Sequence, residues 1–317
     1  MEWWVILLLI VAVIFLLLLV MVHSMFSNMC CRHPETAETE EAFQKYVLDS
    51  STPEWLSKIR SGMQWIEETP QEQVYIQSHD GLRLHGRLYE NPNPNGRVII
   101  LSHGFHSTPK HDFSCACMFY YKHGYTILLI DQRSHGESEG KYICFGARER
   151  YDVRDWCKFI NSRYGETVPL LLSGISMGST TSLLTAGLPD APKNLIGVIA
   201  DCGYVSTYEE FRYVLRTRFH LPAFPLLQIA GLYCRVRGGF GLRTCNVLHA
   251  VKNIRVPILF AHGMGDKLVP FNNTERAYEA CVTRKEIILV PEAAHGMSWV
   301  TDNKRYTETL LRFLDSL

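Results

Sequence analysis

The feature that most restricts this chain is a series of short apolar runs separated by helical spacers. The runs are residues 98–101, 126–130, 170–172, 195–200, 258–261 and 286–290. Strands apolar on both faces and joined by helices mean a mostly parallel sheet covered on both sides. Just before them the period changes to two, and Val74-Tyr75-Ile76 and Leu82-Arg83-Leu84 flank Asp80-Gly81. That is a hairpin signal, because glycine tolerates positive φ. Hairpin and runs together predict an α/β domain with an eight-stranded sheet. The spacer 203–256 is too long for a single crossover helix, so an insertion of about residues 204–256 is expected to roof the strand ends as a helical lid.

Composition narrows the class. At 317 residues the chain could make two average domains, or one large α/β domain with a small attachment. It is 47% hydrophobic, neither disordered nor fibrous. Lys plus Arg equals Asp plus Glu at 32 each, a balance that speaks against a nucleic-acid partner. The ten cysteines show neither a disulfide framework nor paired zinc spacing.

The zero net charge is a sum of opposed blocks. Residues 34–80 carry ten acidic and three basic residues, whereas 211–265 carry eight basic residues and no acidic one. Ahead of both blocks, residues 3–22 form a run of 20 without a charged member. As a helix this run is about 30 Å long, the thickness of a bilayer core. A cleaved signal peptide would want a basic start, a shorter apolar stretch and a small-residue cleavage site, and the chain starts Met1-Glu2 instead. Trp3 and Trp4 suit one membrane interface. The expected organisation is a single-pass anchor over 1–24, a juxtamembrane linker with helices over 25–72 and a catalytic domain over 73–317. Within the linker 38–68 reads as helical, with Thr52-Pro53-Glu54 resembling a helix start. Arg32 against Glu2, and eight cysteines beyond residue 100, lean toward a cytoplasmic catalytic part. Cys30 and Cys31 are either acylation sites or ordinary membrane-proximal residues.

Ligands of open parallel sheets sit beyond the C-terminal strand ends. After 170–172 comes Gly174-Ile175-Ser176-Met177-Gly178. A strand–Gly-x-Ser-x-Gly–helix turn needs its glycines, here Gly174 and Gly178, because the backbone folds too tightly for side chains, and it leaves the serine exposed. A serine hydroxyl needs a base, and the base an orienting carboxylate. Asp266 follows the run 258–261, and His295 follows 286–290. Ser176, Asp266 and His295 thus lie in order after three strands. An oxyanion hole needs two backbone N–H donors, expected from Met177 and from Phe105 in Ser102-His103-Gly104-Phe105. His103 is read as structural. Asp201, after the run 195–200, is the alternative acid. Cys245 and His249 lack companion ligands for a metal, and Asn272-Asn273-Thr274 reads as a chance glycosylation match beside Asp266. No dinucleotide fingerprint or phosphate loop is present in the sequence, and the chemistry calls for no cofactor or metal.

These segments, with Asp131-Gln132-Arg133-Ser134-His135-Gly136-Glu137-Ser138 and Ala294-His295-Gly296, resemble the α/β-hydrolase superfamily. They look particularly like its membrane-anchored or secreted serine hydrolases described as Bem46-like, with bacterial relatives. The resemblance covers about 73–317 and implies an α/β-hydrolase fold, with Arg133 and His135 bracing loops near the site. It implies a serine hydrolase acting on carboxylic esters, with a peptidase, an amidase, an acyltransferase and a catalytically dead scaffold as rivals. An exopeptidase would carry an acidic subsite for the substrate amine, and residues 211–265 hold no Asp or Glu. The insertion mixes Phe219, Leu221, Phe224, Leu226, Leu227, Ile229, Leu232 and Tyr233 with arginines 212, 216, 218, 235, 237 and 243. Either it packs on the sheet with solvated arginines, or it faces anionic lipid and receives a lipid-derived acyl ester.

Overall fold

The computed structural model describes residues 2–32 and 53–317. Its eight strands are β1 (Glu72–Gln77), β2 (Arg83–Tyr89), β3 (Val98–Ser102), β4 (Thr126–Ile130), β5 (Leu170–Ile175), β6 (Leu195–Asp201), β7 (Ile258–Gly263) and β8 (Lys285–Val290). They form one sheet in the order β1-β2-β4-β3-β5-β6-β7-β8. β1 and β2 make the expected hairpin, with Ile76 opposite Leu84 and Gly81 at φ 90°. β2 joins β4 antiparallel, and every later pairing is parallel. The parallel register aligns the strand ends: Ser102 lies beside Gly174, Ile175 beside Asp201, and Gly263 beside Val290.

The side-chain period of two divides each strand between two cores. Ile100, Leu128, Leu172, Val198 and Phe260 enter one, and Ile99, Leu101, Ile127, Leu171 and Leu259 the other. Helices α4 (Glu149–Tyr164) and α5 (Met177–Ala186) cover the first face with Trp156, Leu183 and Leu184. Helices α3 (Ser114–Lys122) and α9 (Asn303–Asp315) cover the second with Cys117, Tyr120, Leu310 and Phe313. Helix α8 (Asn272–Ala280) packs beside β7.

The N-terminal region differs from its expected boundaries. Helix α1 runs over Trp3–Cys30 without a break at residue 24. Its first part is bare, with Leu8 60% and Leu17 62% exposed, while Val22, Phe26 and Cys30 are buried in the first core. Residues 25–32 are therefore part of the domain's packing and not a linker. His23 Nδ1 lies 2.6 Å from the Tyr233 hydroxyl, and Phe26 packs on Tyr142 and Tyr233. Apolar residues at 22, 26 and 30 recur at the helical i, i+4 spacing, and this seats the helix end. Beyond the helix, Arg32 donates to the carbonyls of Gly136 and Ser138. Helix α2 (Pro53–Glu68) is also docked, with Ile66 in the second core. The part of the helical expectation over 38–52 lies outside the described residues.

Residues 204–256 are mostly helical, with α6 (Thr207–Arg218), α7 (Leu226–Tyr233), a π-helical turn over Cys234–Gly238 and a short helix over Val247–Ala250. Phe211, Leu215, Leu226, Leu227 and Phe240 point into the first core. Phe219, Phe224, Leu232 and Val236 instead face outward, each more than half exposed.

Candidate active site

The turn after β5 explains the Gly-x-Ser-x-Gly pattern. A side chain at Gly174 would run into the backbone of Gly178, and one at Gly178 into the backbone of Ser102. Ser176 sits between them at φ 55°, ψ −117°. A non-glycine residue pays about 1–3 kcal/mol for such a conformation, and the close-packed turn holds it there. The hydroxyl is presented at the start of α5, above the sheet.

The loops after β7 and β8 bring the other two groups to it. His295 Nε2 lies 2.8 Å from Ser176 Oγ, and His295 Nδ1 lies 2.6 Å from Asp266 Oδ2. Asp266 Oδ1 accepts the amides of Leu268 at 2.8 Å and Val269 at 2.9 Å. Its Oδ2 also lies 3.0 Å from Nε2 of the fully buried His262. That nitrogen faces two acceptors, Asp266 and the Val269 carbonyl, so it carries the proton and His262 Nδ1 accepts from the Thr274 hydroxyl at 2.7 Å. Burial alone would raise the Asp266 carboxyl. The hydrogen bonds and charges of His262 and His295 outweigh that effect and hold it well below the usual carboxylate range. Asp266 is thus ionised, and an ionised carboxylate only accepts. His295 Nδ1 must therefore carry the proton, which leaves Nε2 basic toward Ser176.

Asp201, the alternative acid, is placed differently. Its Oδ2 accepts from the Tyr306 hydroxyl at 2.9 Å, and burial raises its pKa. Asp266 is the carboxylate hydrogen-bonded to His295.

The β3 loop approaches from the other side. A side chain at Gly104 would touch the Cβ of Ser176, and the Gly104 amide donates to Asp112 Oδ2 at 2.6 Å. Among the described residues, neither the Phe105 nor the Met177 N–H has a hydrogen-bond partner, the state an oxyanion hole requires. The Phe105 ring stacks between His106 and Phe145. His103 is fully buried and accepts the Gln132 amide at 3.1 Å on Nε2, so its Nδ1 donates to the Gly104 carbonyl at 2.7 Å. It ties this loop to the Asp131 segment. Arg133 bridges Asp80 and Asp152, and His135 accepts the His106 amide at 3.2 Å. Both brace loops, as the resemblance implies.

A residue absent from the sequence reading completes the surroundings. Glu210 lies on α6 just ahead of Phe211, which packs on Phe145, and Tyr213, whose hydroxyl donates to the Lys267 carbonyl at 3.3 Å. It interacts electrostatically with His295 and Asp266. Its Oε2 is buried without a hydrogen-bond partner among the described residues. Burial pushes its carboxyl up to about 8, against the pull of His295. The acid-free stretch begins one residue later, so the insertion does bring an acidic side chain to the site.

Other expected or candidate ligands do not converge on the site. Cys245 Sγ is buried against the Phe145 carbonyl, while His249 is exposed beside Asn253. His79, Asp80 and Asp152 place donor atoms within 4.8 Å of one another, but Arg133 is already paired to both carboxylates. Thr274 of the glycosylation match is buried on His262.

This sheet order, the strained serine turn and the three strand-end loops define an α/β hydrolase. The chain belongs to the α/β-hydrolase family. The family model described as serine aminopeptidase, S33, matches residues 93–234. The chain is 30% identical over 226 residues to the Bacillus subtilis protein YqkD, which covers 71% of this chain and 73% of YqkD. It is 27% identical over 131 residues to caffeoylshikimate esterase of Arabidopsis thaliana, 36% of this chain and 39% of that one. Among solved structures, the Pyrococcus furiosus esterase Pf2001 superposes with a TM-score of 0.64 at 23% identity, over 84% of this chain and 94% of its own.

Proposed function

We propose that this chain is a membrane-anchored serine hydrolase that cleaves carboxylic esters of acyl groups through an acyl-enzyme. The observation that carries this is the series Asp266–His295–Ser176, with contacts of 2.6 Å and 2.8 Å in the order base chemistry requires. His295 Nε2 takes the Ser176 proton as Oγ attacks the ester carbonyl. The Phe105 and Met177 amides hold the developing oxyanion. His295 then returns the proton to the leaving alcohol. In the second half it deprotonates water, which attacks the acyl-enzyme and frees Ser176. Asp266 fixes the His295 tautomer and stabilises its transient positive charge. The esterase relatives support ester cleavage. The motif set, taken with α1, supports the Bem46-like branch.

The first part of α1 is the anchor in this reading. A chain of exposed Leu, Ile, Val and Phe over 3–20 is costly in water and favourable in lipid. The insertion joins it as a lid, because α7 packs on α1 and presents outward-facing Leu232 near the point where the helix leaves the domain. Labelling with a fluorophosphonate tests the enzyme reading. The native chain should label and Ser176→Ala should not; a native chain that fails to label overturns it.

A second reading, hydrolysis of aminoacyl amides, would rest on Glu210 as the partner of the substrate ammonium. At neutral pH this carboxyl is largely protonated, which suits an uncharged acyl group better than an ammonium. Comparing a butyrate ester with an aminoacyl anilide decides between the two. Under the amide reading, Glu210→Gln would lose anilide cleavage and keep the ester.

A further inference from the structure

Away from Ser176, a cavity of about 430 Å³ opens where the insertion meets the start of α4. That volume suits a small ligand. Arg148, Arg150 and Arg235 line it, together with His79, Tyr151 and Thr244. Three guanidiniums share very little negative charge here. Arg148 reaches Asp80 at 3.0 Å, but Asp80 also pairs with Arg133 at 2.9 Å. Arg150 lies over the Tyr151 ring and donates to its hydroxyl at 2.9 Å; among the described residues it has no carboxylate partner, and its buried Nε makes no hydrogen bond. The Arg235 guanidinium forms no hydrogen bond or ion pair among the described residues. Cations gathered in a concave, partly desolvated site repel one another unless an anion joins them.

His79 is turned to Asp155, with Nδ1 3.4 Å from Oδ2, and the two hydroxyls are donors as well. The Tyr151 hydroxyl accepts from Arg150, and the Thr244 hydroxyl accepts the Gly241 amide at 3.2 Å, so each has its proton left to give. Guanidinium forks with added hydroxyl donors match the oxygens of a dianionic phosphate. We propose that this cavity binds a phosphate monoester. The site is separate from the candidate active site and does not rest on the ester reading. Its Phe240 wall adjoins Gly238, which lies near Phe26 of α1, so the ligand enters beside the emerging helix. A lipid headgroup and a soluble phosphate ester carry the same chemistry.

The test is calorimetric titration of the full chain in detergent micelles with two probes, glycerol 3-phosphate and micelle-borne phosphatidic acid. At least one should bind saturably. Arg150→Gln and Arg235→Gln should each weaken binding about tenfold, the loss of one charge-assisted hydrogen-bond pair. Arg305→Gln, an exposed arginine on α9, should change nothing. Glycerol 3-phosphate binding identifies a soluble ligand; binding of phosphatidic acid alone identifies a lipid. If neither probe binds, or if Arg235→Gln keeps full affinity, the proposal is overturned. Arg235 is exposed, so its variant decides the matter even where Arg150→Gln fails to fold.

Discussion

The loops after β5, β7 and β8 and the insertion over them satisfy their polar groups by opposite means. Around Ser176 the groups that set the triad have their partners: Asp266 accepts four hydrogen bonds, and His262, His295 and His103 are each held at both nitrogens. In the insertion, arginines at 216, 218, 235 and 237 stand exposed beside bare Phe219, Phe224, Leu232 and Val236. The first arrangement fixes geometry for chemistry within the chain. The second leaves surface whose complement lies outside the chain.

Four substitutions and two controls break or sharpen that contrast, starting from the largest effect. Ser176→Ala should lower ester turnover by about 10⁴-fold or more, measured as initial rates on a soluble ester. Asp266→Asn should cost about 10³- to 10⁴-fold by releasing the tautomer, while Asp201→Asn stays within a few-fold of native. Equal losses for both would mean that the sheet-end acids act together. Phe26→Ala should destabilise the domain by about 3 kcal/mol, lowering the unfolding midpoint by roughly 5–10 °C in detergent. Leu8→Ala, on the bare part of the same helix, should leave that midpoint alone.

The smallest effect concerns Glu210. Its folded pKa is raised to about 8 from an ordinary 4.5, so the folded chain holds more protons than the unfolded chain between those values. Stability from this group therefore falls as pH rises through that window. Glu210→Gln should remove the slope, so its unfolding midpoint gains on the native chain from pH 5 to pH 8. A parallel pair of curves would mean that the carboxyl is not buried as described.

What the sequence revealed follows the same division. The strands were legible because both faces are buried, and the serine turn because its glycines answer to backbone collisions and not to chemistry. The order Ser176, Asp266, His295 followed from strand ends alone, and their hydrogen bonds needed coordinates. The end of α1 was missed because His23, Ser24 and Asn28 interrupt the apolar run, and the i, i+4 stripe of Val22, Phe26 and Cys30 hides among them. Glu210 carries no such mark, since it stands one residue ahead of the acid-free stretch 211–265. No local pattern marks a residue that is made important by a loop arriving from 56 positions away, as Asp266 does.

The unbroken course of α1 from bare helix into the first core has a mechanical side. A flexible tether would let the domain tumble and swing over a wide area. A helix seated by its last turns has no joint between its two halves, so its tilt and the attitude of the domain are a single angle. In the membrane-anchored reading, a change in bilayer thickness that tilts the helix would also turn the Ser176 cleft toward or away from the headgroups.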